Sequence, residues 1–387
     1  MARSSLIKAW SRAYRKNLAG AAKLMKASAR AAAKTARKSA VKPATKPVVK
    51  PAASPATKLV AKPAVRLVAR PGSQASSTVL ARRPAAGKQH PAPGDWIAGV
   101  AVGTAGARRY RLYRPPGTVR GEQLPLLVML HGCGQDAAGF ALSTRMNRIA
   151  ARERFLVLYP EQDRLHNMQG CWNWYDTRSG RAAGEADVIM KAIDQVSLLY
   201  AVDAQRVAIA GLSAGASMAA LLVTRHPERF KAVVMHSGIA PGTANSTASA
   251  LGAMQGRRKT APLKVTPATM AANWPPLMVI HGSTDPVVAA SNGRAAVQVW
   301  ADAAGATARE PRVVQRGKRY PMTVTEFKRG TATVATLVRV NGLGHAWSGG
   351  LTSQACSDGS GPDASRMVWG FASRQFIAKA GTARSVR

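Results

Sequence analysis

Acidic residues are missing from the first 90 positions of this 387-residue chain, which hold 21 lysines and arginines; the first carboxylate is Asp95. The rest of the chain carries 35 bases and 18 acids. The formal charge of +38 therefore describes a basic tail joined to a moderately basic domain, and is no evidence for a single nucleic-acid-binding fold. Cysteine is scarce. Cys133, Cys171 and Cys356 are too few and too odd in number for a disulfide scaffold, and leave room for one bridge and one thiol. No apolar run reaches the 18 residues or so of a membrane-spanning helix. At the N-terminus Lys8, Arg12, Arg15 and Lys16 interrupt every candidate signal-peptide core, so the expected location is the cytoplasm. Aromatics make up only 5% of the residues, yet the hydrophobic share of 46% is enough for a sizeable core. Neither HExxH nor a CxxC pair occurs, and no metal or cofactor is expected.

Residues 1–40 read as a basic amphipathic helix. Leu6, Trp10, Tyr14, Leu18 and Met25 recur at four- and seven-residue steps among alanines and basic side chains. Residues 41–95 read as an extended, disordered linker. From 42 to 73 a four-residue unit repeats (KPAT, KPVV, KPAA, SPAT, KLVA, KPAV, RLVA, RPGS), and proline at this density disfavours helix and sheet alike. Such a tail suits a granule surface, an anionic membrane or another polyanion, bound through charge. It has nothing with which to read base edges, so sequence-specific nucleic-acid binding is not expected. A plain spacer is the competing reading.

At Trp96 the composition changes, and residues 96–387 read as one α/β domain. Arg108–Arg114, Pro125–Leu130, Phe155–Tyr159, Arg206–Ala210, Lys231–His236, Leu277–His281 and Thr333–Val340 read as strands, the last of them before His345. Helices are expected from about Gly184 to Tyr200 and from Ala214 to about Arg225. Alternation of this kind gives a mostly parallel sheet covered on both faces, with function at the carboxyl ends of the strands.

Three groups fall at that edge. Ser213 sits in Gly211-Leu212-Ser213-Ala214-Gly215, between a strand and a helix, where a nucleophile elbow lifts a serine hydroxyl clear of the sheet. Asp285 follows the strand LMVIHG; its rival Asp302 lies in a helical pattern. His345, on the glycine-rich loop after the last strand, completes the order serine, acid, histidine. A serine hydroxyl needs a base to take its proton, and that base needs a carboxylate to fix its tautomer. The oxyanion site needs two backbone N–H groups: Ala214 supplies one, and the loop after PLLVML the other, expected at Cys133.

The segments PLLVMLHGCGQ, FLVLYPEQ, CWNWYD, GEADVI, DAQRVAIAGLSAGASMA, VIHGSTDPVV and GHAWSGG, in this order, resemble the poly(3-hydroxybutyrate) depolymerase family of esterases, related to feruloyl and acetylxylan esterases. The resemblance covers about Trp96 to Ala380. It implies an α/β-hydrolase fold with Ser213, Asp285 and His345 as catalytic triad and the His131–Cys133 loop in the oxyanion region. It also implies an aromatic segment around Trp172 and Trp174 near the cleft, and His131, Trp172 and Trp347 become candidates for substrate contact. By the same resemblance Cys133 and Cys171 hold positions able to pair in an oxidising compartment; in a reducing cytoplasm they are expected free. The implied reaction is hydrolysis of a short-chain hydroxyalkanoate ester through an acyl-enzyme. A feruloyl- or acetylxylan-type carbohydrate esterase is the first alternative, with the tryptophans stacking on sugar or aryl rings. A surface-binding protein for granule, membrane or nucleic acid, with secondary esterase activity, is the second. The location expected with the first reading is cytoplasmic and granule-associated, the alternative extracellular.

Overall fold

The structure is a computed structural model that describes residues 92–261 and 274–382. The basic helix read over 1–40 and the linker read up to residue 91 lie outside the described residues. The last four linker positions, 92–95, already belong to the domain: Ala92 is buried, the Tyr113 hydroxyl donates to the Pro93 carbonyl, and Asp95 pairs with Arg114 at 2.7 Å.

In chain order the elements are β1 (Asp95–Gly103), β2 (Gly106–Arg114), β3 (Leu124–Leu130), α1 (Ala137–Thr144), α2 (Met146–Glu153), β4 (Leu156–Pro160), α3 (Arg181–Leu199), β5 (Val202–Leu212), α4 (Ala214–Arg225), β6 (Ala232–His236), α5 (Thr247–Met254), β7 (Leu277–Gly282), α6 (Ser291–Ala304), β8 (Thr307–Ala308), β9 (Arg312–Val314), β10 (Met322–Arg329), β11 (Ala332–Val340), β12 (Trp347–Ser348), β13 (Ser357–Asp358) and α7 (Ala364–Thr382). One sheet runs β1-β2-β4-β3-β5-β6-β7-β11-β10-β8, with β9 also on β10. Its middle six strands, β4 to β11, are parallel; β1, β2, β8, β9 and β10 pair antiparallel at the two ends. β12 and β13 form a separate two-stranded piece.

The parallel strands are nearly continuous apolar runs because helices cover both faces. β3 shows the alternation: Leu126, Val128 and Leu130 pack on the face of α3, α4 and α6, while Leu127 and Met129 pack on the face of α1, α2 and α7. All five are fully buried, each contributing about 1.5–3 kcal/mol of hydrophobic stabilisation.

Six strands were not read from the sequence: the short β8, β9, β12 and β13, and the two longer strands β1 and β10. β1 is an edge strand of mostly exposed or partly exposed residues with two glycines, Gly99 and Gly103, so its pattern is faint. β10 is antiparallel and falls before β11, so β11 is not a terminal parallel strand but the inner neighbour of a hairpin. Both lie outside the parallel block that forms the functional edge.

Candidate active site

Five parallel strands end at one edge of the sheet, and each delivers a loop to the site: β3 at Leu130, β5 at Leu212, β6 at His236, β7 at Gly282 and β11 at Val340. β5 passes directly into α4 through Ser213, which takes φ 56° and ψ −119°. Such a conformation costs on the order of 1–3 kcal/mol and persists only where packing imposes it. Packing does so here. A Cβ on Gly211 would strike the Gly215 backbone, and one on Gly215 would strike the carbonyls of Leu130 and His131. The two glycines thus let strand, helix and oxyanion loop close on one another. Ser213 occupies the helix N-cap yet makes no capping hydrogen bond, which leaves its partly exposed hydroxyl for other work.

The loops after β7 and β11 are stitched together. The Ser283 amide donates to Val340 O at 2.9 Å, the Thr284 hydroxyl to Leu343 O at 2.9 Å, and the Gly342 amide to the Ser283 hydroxyl at 2.9 Å. A side chain at Gly282 would meet the Leu343 carbonyl. Close approach of these loops puts Asp285 Oδ2 2.8 Å from His345 Nδ1. Asp285 Oδ1 accepts the amides of Val287 and Val288, both at 2.9 Å. Burial pushes the Asp285 carboxyl up, but the charge and hydrogen bond of His345, with help from His281 and the Val288 amide, hold it below the ordinary carboxylate range. An ionised carboxylate only accepts, so His345 Nδ1–H donates and Nε2 is left as the basic nitrogen.

The oxyanion loop shows which amide is free. Gly132 N donates to the Gln135 side chain, Gly134 N to Gln169 O, and Gln135 N to Gly132 O. Between them the Cys133 amide has no acceptor among the described residues, and neither does Ala214 N, the first amide of α4. These are the two donors named from the sequence.

The three residues expected at the substrate have fully buried side chains. His131, Trp172 and Trp347 are each 0% exposed. His131 donates from Nδ1 to Gly132 O at 2.8 Å and accepts the Gln162 amide on Nε2 at 3.0 Å; burial pushes its pKa down and keeps the ring neutral. Trp172 Nε1 donates to His131 O at 3.2 Å. Trp347 Nε1 donates to Ser365 Oγ at 3.0 Å, and its ring stacks on His236 with centroids 5.1 Å apart. All three side chains are packed within the domain. A large aromatic near a catalytic motif reads alike whether it faces inward or outward, and only packing separates the cases. Trp174 is also buried, edge-on to Tyr175.

Cys133 and Cys171 are bonded, against the expectation of free thiols. Their Cα atoms stand 4.2 Å apart because the CWNWYD segment folds back onto the oxyanion loop. The segment is held there by a buried polar cluster that the sequence did not reveal. Glu185, on α3, accepts from Asn173 N (2.8 Å), Asn173 Nδ2 (2.6 Å), Gln162 Nε2 (2.7 Å) and Arg108 (3.3 Å), while Gln162 Nε2 also donates to Cys171 O. Two further histidines, read from the sequence only as strand ends, lie beside the site. His236 ends β6 and accepts the Ser348 amide at 3.1 Å, while its backbone carbonyl receives the Ser213 amide at 2.8 Å. Burial, with the neighbouring His281 and His345, pushes its pKa down to about 3. His281 ends β7 and faces Asp285. The only signal in the sequence was that each histidine is the last residue or nearly the last of an apolar strand.

The pattern that defines the esterase PHB depolymerase family matches residues 108–308. The chain belongs to this family. Among relatives of the PHB depolymerase esterases it is 29% identical over 233 residues to poly(3-hydroxyalkanoate) depolymerase C of Paucimonas lemoignei, covering 57% of this chain and 54% of that one. It is 32% identical over 127 residues to feruloyl esterase B of Neurospora crassa, covering 32% and 42%. The chain thus spans about half the length of these relatives. In structure it matches the acetyl xylan esterase from Aspergillus awamori with a TM-score of 0.52 at 18% identity, over 65% of this chain and 94% of that one, which shows a shared fold.

Proposed function

We propose that this family member is a serine esterase that hydrolyses short-chain hydroxyalkanoate esters through an acyl-enzyme. The observation that carries the reading is the 2.8 Å hydrogen bond from His345 Nδ1 to Asp285, which leaves His345 Nε2 as base at the edge where Ser213 is strained outward. In this reading Nε2 takes the Ser213 proton as the hydroxyl attacks the ester carbonyl. The Cys133 and Ala214 amides stabilise the oxyanion, each supplying on the order of 3 kcal/mol of barrier lowering. His345 then protonates the departing alcohol, and a water activated by the same nitrogen releases the hydroxy acid.

The poly(3-hydroxyalkanoate) depolymerase relative supports the hydroxyalkanoate substrate. The feruloyl esterase relative supports the carbohydrate-esterase alternative. With Trp172 and Trp347 fully buried, aryl or sugar rings would need other residues to hold them. Rates on 3-hydroxybutyrate oligomers against feruloylated and acetylated sugars decide between the two; faster turnover of the sugars would overturn the assignment. The bonded Cys133–Cys171 pair favours an oxidising compartment over the cytoplasm. The tail's 21 bases support attachment to a polyanionic surface. Loss of co-sedimentation with polymer granules or anionic vesicles on deletion of residues 1–90 is the expected result, and unchanged partition with both would reject it.

A further inference from the structure

On the sheet face that α7 covers, the helix packs on β5, β6 and β7 and stops short of the outer strands. Beyond it lies a groove of about 890 Å³ between α2, α7 and the β9–β10–β11 corner. The groove has two chemistries. Its floor is apolar, formed by Met278, Met322, Val324 and Val338 with Phe371 at the side. Its rim is cationic: eight arginines line it against two carboxylates, Glu326 and Asp363.

Five of the eight guanidiniums are engaged. Arg145 donates to Gly349 O, Arg319 to Gly359 O and Gly361 O, and Arg312, Arg366 and Arg152 sit near Glu326, Asp363 and Glu153. Arg148, Arg316 and Arg374 are exposed and make no side-chain hydrogen bond or ion pair among the described residues. Counting Glu153 beside Arg152, a surplus of five positive charges around one groove is self-repulsive and is relieved by an anion. Guanidinium suits a carboxylate in particular, which it can meet with two parallel hydrogen bonds.

We propose that this groove is a second binding site, distinct from the catalytic edge, for an acid-ended hydroxyalkanoate oligomer. The oligomer's methyl-bearing backbone lies along the apolar floor, its ester carbonyls accept from the rim, and its terminal carboxylate sits among Arg148, Arg316 and Arg374. The substrate class rests on the function proposed above. One end of the groove touches the catalytic edge through hydrogen bonds. Ser365, in its lining, donates to Thr144 O and accepts from Trp347, two residues beyond His345.

The test is titration calorimetry at low ionic strength on the full chain carrying Ser213→Ala, with the free acid of a 3-hydroxybutyrate tetramer as probe. The methyl-ester-capped tetramer and the triple variant Arg148→Glu, Arg316→Glu, Arg374→Glu in the same background should each bind about tenfold more weakly than the acid with the parent. Equal binding of acid and capped ester, equal binding by the triple variant, or decanoate binding as tightly as the tetramer would each overturn the proposal. In the otherwise native chain the triple variant should keep its p-nitrophenyl butyrate turnover, which shows that it folds; if it does not fold, Arg148→Gln with Arg374→Gln serves in its place. Failure of the native chain to hydrolyse the tetramer would reject the substrate reading, and is read separately from these binding differences.

Discussion

His281 Nε2 lies 3.5 Å from Asp285 Oδ2, the same oxygen that receives the His345 proton at 2.8 Å. The carboxylate therefore stands between two imidazoles. His281 Nε2–H donates to Val288 O at 3.0 Å, and the Val288 amide donates back to Asp285 Oδ1, so the turn that aims the acid is closed by a histidine of β7. Its Nδ1 has no hydrogen-bond partner among the described residues and abuts Gly293, where a Cβ would come within 2.9 Å. Replacing His281 by leucine removes the donor. The expected result is a kcat lowered about tenfold with KM little changed, the signature of a lost transition-state contribution. His281→Gln, which can return an N–H to the same place, should recover part of the loss. Equal loss in both variants would make the residue a packing element only.

Ser213→Ala should lower kcat on p-nitrophenyl butyrate by at least about 10³-fold while thermal unfolding is unchanged or raised. Wild-type turnover in this variant would remove the serine from the chemistry.

Glu185 is 1% exposed and takes four hydrogen bonds, including the ion pair with Arg108. Glu185→Ala leaves the Arg108 charge buried and uncompensated, and a loss of about 3–5 kcal/mol is expected in urea unfolding. Because Gln162 and Asn173 then lose their anchor, kcat should fall as well. Stability within 1 kcal/mol or so of the parent would show that the cluster is dispensable.

The Cys133–Cys171 bridge closes a loop of 38 residues, and its loss is expected to cost on the order of 3–4 kcal/mol. If the Cys133 amide is the oxyanion donor proposed above, Cys171→Ser should lower kcat more than KM. Kinetics with and without a reducing agent give the same comparison without mutation; identical rates would separate the bridge from catalysis.

His236 stays neutral in the folded state down to about pH 3 and titrates near 6.5 when unfolded. Between those values the unfolded chain binds one more proton, so stability rises with pH by roughly 1.4 kcal/mol per unit from this residue. Its contribution is complete above pH 6.5 or so and is lost as pH falls towards 3. His131 and His281, also pushed down by burial, act in the same direction. Urea unfolding between about pH 4 and 6 should show a slope reduced by one proton in His236→Gln. An unaltered slope would mean that His236 is not held neutral.

The sequence determined the parallel block, the elbow and the order of the three triad candidates. Strands of unbroken apolar residues, glycines on either side of Ser213 and the alternation of strand with helix are local signals, readable because each is a short-range consequence of backbone sterics and burial. Ala214–Arg225 is a helix with the bounds read from its pattern. Tertiary structure decided which way the aromatic and polar residues face. Trp172 and Trp347 differ from ligand-facing tryptophans only in what packs against them, and Glu185, Gln162, Asn173 and Arg108 meet across separations of up to 77 positions. The side chains that support the site have no fixed spacing, because their partners come from loops on different strands and are matched only once the sheet has formed.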